Sequence, residues 1–296
     1  MIFIPIKIFR HNHYPEDLND RFKRSFNESD IIAVENASSQ SSEGLKNFFN
    51  SLSSKGYFEH SVRSEISRDY YKKLITFITN SKKQIEVEKP PIVLDEIERI
   101  KSLRFDSLDY FCEGNLDKAC YKRLEALKFS DELNKKRINS MSNQLENIQT
   151  TNENKNILAL IEPIRGLPIY MELKKNGFNV VQELSHNNII FDCDEQVGRN
   201  ILFNKSYTKD SLARYFVCSS IFNYLNGDLD FSRKKAMEKS LEVTENLSYE
   251  DINSLSDYIS KDILRKNMYV DATVVWLKKR GVKLADIESD RIPYIV

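Results

Sequence analysis

Residues 2–36 read IFIPIKIFRHNHYPEDLNDRFKRSFNESDIIAVEN, and this stretch decides the fold. It holds two apolar runs, Ile2 to Phe9 and Ile31 to Val34, each with the length and composition of a buried strand. Leu18, Phe22 and Phe26 lie between them at helical spacing. Strand, helix and strand in succession predict a βαβ unit, which builds parallel sheets, so we expect the two strands to be neighbours.

A third apolar run, Ile157 to Ile161, indicates another strand of the same sheet. All three runs end on polar or ionisable side chains: Arg10, His11 and His13 after the first, Glu35 and Asn36 after the second, Glu162 and Arg165 after the third. In open α/β sheets, ligands bind in the crevice beyond the carboxyl ends of the strands. The three strand ends therefore predict one common site.

The rest of the chain is mostly helical in pattern. Residues 92–149 predict three helices, Ile92 to Cys112, Leu116 to Phe129, and Ser130 to Ile148 with Ser130 as N-cap. Short strands are predicted near residues 85–87, 178–181 and 189–191, and a turn at residues 163–166 leads to a helix from Leu167. Helical patterns alone follow Ser206. We predict an α/β domain, residues 1–205, with a mostly parallel central sheet and a long helical insertion at about residues 92–149. An all-helical C-terminal domain follows at residues 206–296.

Composition narrows the function classes. The chain has 44 Lys and Arg against 44 Asp and Glu, so no overall field draws it to nucleic acid, which is not an expected partner. No apolar run approaches the roughly 20 residues that span a bilayer, so no membrane partner is expected. Four cysteines without CxxC spacing predict buried, reduced thiols, and the apolar start reads as a strand rather than a signal peptide. We predict a cytoplasmic protein.

His11 and His13 flank Asn12 at the end of the first strand, so both imidazoles project to one side of an extended chain. With a carboxylate, such a pair forms a divalent-metal site, for zinc or manganese. Alternatively, both histidines cap the next helix or face solvent. Glu35 follows four apolar strand residues, and a buried carboxylate needs a partner or a cation. His11 or His13 is the expected partner; the alternatives are a helix cap or a lysine.

Glu162 and Arg165 also have two readings. Glu162 is a further candidate metal ligand, and Arg165 stands where it can bind a carboxylate or phosphate beside a helix N-terminus. The alternative is an ion pair between the two residues. Arg137 borders the apolar stripe of its helix, either as a solvated residue or as part of the site. Arg10 and Asn36 are candidate substrate-binding residues. His60 and His186 stand alone in predicted loops and are not expected to be catalytic.

The order of these motifs resembles that of the TraB/Tiki superfamily, which includes the erythromycin-esterase-like and haem-uptake ChaN-like proteins. His13-Tyr14-Pro15 is similar to the family's first histidine element, Ile31 to Glu35 to its strand ending in glutamate, and Lys136 to Met141 to its arginine segment. Leu158 to Gly166, followed by a helix and Gly177, is similar in outline to the family's last element. The resemblance covers roughly residues 1–195. Arg10 stands where the family has glycine, and residues 162–165 lack the family's histidine.

The resemblance implies a hydrolase acting on a small molecule or peptide, with Glu35, His13 and Arg137 as catalytic residues, and its Tiki-like members are similar to metal-dependent proteases. His11, His13, Glu35 and Glu162 are then the candidate metal ligands. The alternative is a protein without enzymatic activity that binds an anionic small molecule through Arg10 and Arg165. In both, the C-terminal helices relay a signal or assemble a homo-oligomer and supply no catalytic group.

Overall fold

The computed structural model describes residues 5–11, 15–36, 42–55, 69–90, 94–185, 193–228 and 231–282. The chain forms two compact units. The sheet unit comprises residues 1–91 and 133–189, and the helical unit comprises residues 92–132 and 190–296. The predicted fold class is confirmed: a parallel sheet, a long helical insertion and a helical C-terminal region. A domain boundary at residue 205 stays a prediction.

The described part of the sheet unit contains five parallel strands: β1 (Ile6–Arg10), β2 (Ile31–Val34), β3 (Gln84–Val87), β4 (Ile157–Ile161) and β5 (Val180–Leu184). Their order across the sheet is β3-β2-β4-β1-β5. The expectation that β1 and β2 are neighbours is therefore wrong. β4 lies between them, with Ala159 opposite Ile8 on one side and Ala33 on the other. β4 enters the sheet from more than 100 residues away, so local pattern does not reveal its position.

Helices α1 (Asp20–Glu28), α2 (Ser42–Lys55) and α3 (Asp69–Ile78) cover one face of the sheet. They share a core with alternate strand residues, among them the neighbours Phe9, Leu160, Val34 and Val87. Successive strand side chains point to opposite faces. Arg10, which follows Phe9, therefore faces the other way, where α6 (Pro163–Lys175) packs against β1 and β5.

Two helical predictions need correction. The predicted helices at 116–129 and 130–148 are one helix, α5 (Leu116–Thr151), so Ser130 is not an N-cap. The reason is that residues 116–151 contain no glycine or proline to interrupt the backbone hydrogen bonds. Likewise, residues 163–166 do not form a turn, because α6 already begins at Pro163. Proline suits the first helical position, since its missing N–H would have no partner there. Arg165 consequently lies in the first helical turn.

The helical unit contains, besides the first part of α5, the helices α4 (Leu94–Cys112), α7 (Cys193–Leu202), α8 (Lys209–Asn223), α9 (Arg233–Thr244), α10 (Tyr249–Ser260), α11 (Ile263–Asn267) and α12 (Tyr269–Lys279). α7 was not predicted, and the strand predicted at 189–191 lies outside the described residues. Phe111 stacks on Phe216 in the core at 4.6 Å between ring centroids. All four cysteines are buried and free, as predicted.

Among the helices that the structure describes, none combines the length and apolar character that crossing a bilayer requires.

Candidate functional site

Parallel pairing brings the carboxyl ends of all five described strands to one edge of the sheet. The residues at or just beyond these ends are Arg10 and His11 from β1, Glu35 and Asn36 from β2, Glu88 from β3, Glu162 from β4 and Ser185 from β5. We call this set, with the α5 and α6 side chains that contact it, the carboxyl edge. Three carboxylates lie within it, and two of them were predicted.

Among the described residues, Glu35 is bound by Arg165 and not by His11. Its side chain is 1% exposed; Oε1 accepts from Nε of Arg165 at 2.6 Å, and Oε2 accepts from the backbone N–H of Glu162 at 2.6 Å. Glu35 leaves β2 on the face opposite Val34, toward α6, so the arginine in the first turn of α6 lies within reach. Among the described residues, this buried arginine takes the place of His11 and of the lysine that the sequence suggested, and a contact with His13 is not tested because His13 lies outside them.

Each guanidinium nitrogen of Arg165 donates to a different protein oxygen. Besides the bond from Nε to Glu35, Nη1 donates to Oδ1 of Asn134 at 2.8 Å and Nη2 donates to Oε2 of Glu162 at 2.5 Å. The ion pair between Glu162 and Arg165, one of the two readings from sequence, is present. The Arg165 side chain is only 6% exposed, whereas that of Glu162 is 29% exposed. Of the two carboxylates that Arg165 contacts, Glu162 is thus the one that reaches solvent.

Arg137 on α5 belongs to the carboxyl edge and is not a solvated rim residue. Its Nε donates to Oε1 of Glu88 at 2.8 Å, and its Nη2 donates to Oε2 of Glu88 and to the backbone oxygen of Asn36. Nη2 also lies 3.9 Å from Oε1 of Glu35. Glu88 in turn accepts from the backbone N–H of Asn36 at 3.1 Å. One buried carboxylate therefore fixes both an arginine of the helical insertion and Asn36, the second residue after β2.

Burial and charge act in opposite directions in this cluster. Burial raises the pKa of Glu88 above its usual value, against the hydrogen bonds from Arg137. Burial acts to lower the pKa of Arg165, but the carboxylates of Glu162 and Glu35 outweigh it and raise that pKa overall. The pKa of Arg137 is likewise raised, because Glu88 and Glu35 overcome burial and the repulsion of Arg165. Both arginines are therefore cations at any physiological pH.

His11 points to the face of the sheet that α1, α2 and α3 cover, opposite to Arg10, and contacts α3. It is 1% exposed, its ring stacks on Tyr70 with centroids 4.9 Å apart, and its Nε2 shares a 3.3 Å hydrogen bond with the Tyr70 hydroxyl. Burial, then Tyr71 and the charges of Asp17 and Glu35, raise the pKa of Tyr70 well above its usual value. Tyr70 is therefore a neutral phenol that holds the imidazole in place.

Arg10 packs against the start of α6. Its Nη2 donates to the backbone oxygen of Pro163 at 3.2 Å and its Nη1 donates to Oε1 of Gln182 at 3.4 Å. A Cβ atom on Gly166 would lie 2.6 Å from Cγ of Arg10. The glycine therefore makes room for the arginine stem. Asn36, the other predicted substrate-binding residue, is 4% exposed and its Nδ2 donates to Oγ of Ser42 at 3.1 Å.

The donor set among the described residues does not suit a divalent metal. Each oxygen of Glu35 already accepts a hydrogen bond, one from a guanidinium, and a second cation beside Arg165 would be repelled. His11 faces Tyr70 rather than Glu35. No cluster of three or more metal-ligating side chains occurs in the described part of the chain. The fourth proposed ligand, His13, lies outside the described residues, as do His60 and His186, so the predicted metal centre as a whole is not tested.

Sequence reasoning missed Glu88, Asn134 and Tyr70. Glu88 carried a usable signal, because it follows the predicted short strand at residues 85–87 just as Glu35 follows Val34 and Glu162 follows Ile161. Asn134 carried none, because only the packing of α5 near α6 places an amide next to Arg165. Tyr70 carried none either, because it is a core residue whose contact with His11 depends on the fold.

Fold and site together define a parallel α/β protein with a buried carboxylate–arginine network at the carboxyl edge of its sheet. No protein-family model, no curated protein and no solved structure matches this chain.

Proposed function

We propose that this protein is a hydrolase of the kind that the TraB/Tiki resemblance implies, with its site at the carboxyl edge and a small molecule or peptide as substrate. One observation carries the proposal: Glu162 presents a partly exposed carboxylate that is fixed from behind by Arg165, which Glu35 and Asn134 fix in turn. A partly exposed carboxylate held in one orientation is the arrangement that a general base requires.

In this proposal Glu162 removes a proton from water while the water oxygen attacks the carbonyl carbon of an ester or amide. The carbonyl electrons move to its oxygen, and collapse of the tetrahedral adduct expels the leaving group, which takes up the proton held by Glu162. Glu35 and Arg137 then act as positioning residues, because both are buried in contacts with other protein groups. His13 keeps its predicted catalytic role, and Arg10 and Asn36 keep their predicted substrate-binding roles.

The anion-binding alternative has less support from the contacts of Arg165. Its three nitrogens donate to three protein oxygens, two of them from carboxylates. A phosphate or carboxylate ligand would have to approach the guanidinium against two negative charges. Titration with inorganic phosphate separates the two functions, since this alternative requires saturable binding that Arg165→Ala abolishes.

The test is hydrolysis of a panel of p-nitrophenyl esters and fluorogenic peptides by wild type and Glu162→Gln. Glutamine keeps an oxygen that accepts from Arg165 but cannot take a proton, so we expect kcat to fall about 10²-fold or more. Glu146→Gln is the matched control, because Glu146 accepts from Asn176 before β5, away from the carboxyl edge, and it should retain full activity. Unchanged turnover in Glu162→Gln, or no turnover by wild type across the panel, would contradict the proposal.

A further inference from the structure

The environment of Arg165 has the composition of a cation site. Two carboxylates, Glu35 and Glu162, and the amide oxygen of Asn134 surround one buried positive group. Carboxylate and carbonyl oxygens are the ligands that magnesium, calcium and manganese prefer. Here the same kind of oxygen set surrounds a guanidinium, with donor–acceptor distances of 2.5 to 2.8 Å.

Charge explains why only one cation fits. Two carboxylates held side by side repel each other unless a positive charge lies between them. Arg165 supplies that charge from within the chain, and its raised pKa keeps it ionised. A divalent ion at the same position would have to displace a guanidinium that is covalently attached and held by three hydrogen bonds.

We propose that Arg165 is the built-in cation of the carboxyl edge: its guanidinium occupies the position between Glu35, Glu162 and Asn134 that would otherwise take a divalent metal ion. The site then needs no metal, and removal of the guanidinium exposes a latent site for an oxygen-preferring cation such as Mn²⁺. The inference concerns the same edge as the proposed function but does not depend on turnover, so each stands or falls on its own experiment.

The experiment titrates wild type and Arg165→Ala with Mn²⁺ and measures binding by calorimetry and by electron paramagnetic resonance. In wild type we expect no Mn²⁺ site that depends on Glu35. In Arg165→Ala we expect Mn²⁺ to bind at least about tenfold more tightly, because the oxygens that Arg165 contacted and the water molecules that the ion keeps complete its coordination. The midpoint of thermal unfolding should rise with Mn²⁺ in Arg165→Ala and stay constant in wild type, since ligand binding to the folded state stabilises it.

Two further variants sharpen the result. Arg165→Lys keeps a positive charge at the same place and should bind no Mn²⁺, whereas Arg165→Ala combined with Glu35→Gln should lose the new site. If Arg165→Ala does not fold, guanidinium ion at millimolar concentration should restore folding by filling the same position. Mn²⁺ binding by wild type that Glu35→Gln abolishes would overturn the proposal, as would a folded Arg165→Ala that binds Mn²⁺ no better than wild type.

Discussion

Glu88 and Arg137 form a buried ion pair whose two partners respond differently to substitution. The exposed fractions of the side chains are 0% for Glu88 and 12% for Arg137. Removing one partner of a buried pair costs about 3–5 kcal/mol, because the remaining charge has no compensation, whereas removing both costs much less. We therefore expect Glu88→Gln and Arg137→Met each to lower the free energy of unfolding by about 3 kcal/mol, and the double variant to lose clearly less than the sum.

The pH dependence of Arg137→Met provides a second check on this pair. Burial already raises the pKa of Glu88 in the folded protein, so folded Glu88 binds its proton more tightly than unfolded Glu88 does. Stability therefore declines as pH rises from the usual glutamate pKa of about 4.3 toward the folded value. Loss of Arg137 raises the folded pKa further, so urea unfolding should show a larger deficit at pH 8 than at pH 5. Lys7→Met, which breaks an exposed pair with Glu28, is the control and should cost under about 1 kcal/mol. Additive losses in the double variant would contradict a coupled pair.

At the residue scale, sequence reasoning succeeded where one rule sufficed and failed where packing decided. A carboxylate after an apolar strand must have a partner, which correctly singled out Glu35 and Glu162. The identity of that partner depends on which helix covers which face of the sheet. Glu35 pairs with Arg165 rather than with His11 because strand alternation directs it toward α6 while His11 is directed toward α3.

At the scale of helices and strands, the sequence predicted which segments form strands better than it predicted where each strand lies in the sheet. The apolar runs marked the strands, because four or five buried residues in a row are typical of a parallel strand. The order β3-β2-β4-β1-β5 does not follow from local pattern, whereas the continuity of α5 follows from a local feature that the prediction of Ser130 as an N-cap overlooked. The first depends on pairing between distant segments, and the second on the absence of any residue that ends a helix, which outweighs a plausible N-cap such as Ser130.

Gly166 tests how α6 packs against β1. Glycine inside a helix usually costs about 1 kcal/mol relative to alanine. Here an alanine Cβ would lie 2.6 Å from Cγ of Arg10 and 3.0 Å from its Cδ, so Gly166→Ala should destabilise the protein by about 1–3 kcal/mol. In an Arg10→Ala background the obstacle is gone, and the same substitution should be neutral or stabilising.

Urea unfolding of wild type, both single variants and the double variant measures how Gly166→Ala changes the free energy of unfolding with and without the Arg10 side chain. Gly177→Ala is a useful contrast, because the space around Gly177 is open but its φ of +86° strains any side chain. Its cost should therefore be independent of Arg10. A Gly166→Ala variant that is destabilised equally with and without Arg10 would show that the close approach between β1 and α6 is not the cause.

At the scale of the whole molecule, the division into a sheet unit and a helical unit separates the candidate chemistry from the buried thiols. Every contact of the carboxyl edge described above lies within the sheet unit, whereas all four cysteines and Trp276 belong to the helical unit. Each unit has a hydrophobic core cluster of its own. Thiol reactivity and tryptophan fluorescence therefore report specifically on the helical unit.

The thiols of Cys112 and Cys120 should react only when the helical unit opens, because their pKa values are raised. Burial, with smaller contributions from Asp109 and Asp117, raises the pKa of Cys112 to about 11 and that of Cys120 to about 12. Because the thiolate is the reactive form, at pH 8 only about one in 10³ and one in 10⁴ of these groups is ionised. A Cys193→Ser, Cys218→Ser variant should consequently react with Ellman's reagent only as fast as the helical unit opens.

The measurement follows that variant in increasing urea, with thiol reaction and Trp276 fluorescence recorded in parallel. Both signals should change over the same urea range, because both probes are buried in one core. Tyr121→Cys in the same background is the matched control, since Tyr121 adjoins Cys120 on α5 but is 65% exposed and its thiol should react at once. Rapid reaction of Cys112 or Cys120 in the absence of urea, at a rate near that of the control, would mean that the core of the helical unit is open to solvent in the native protein.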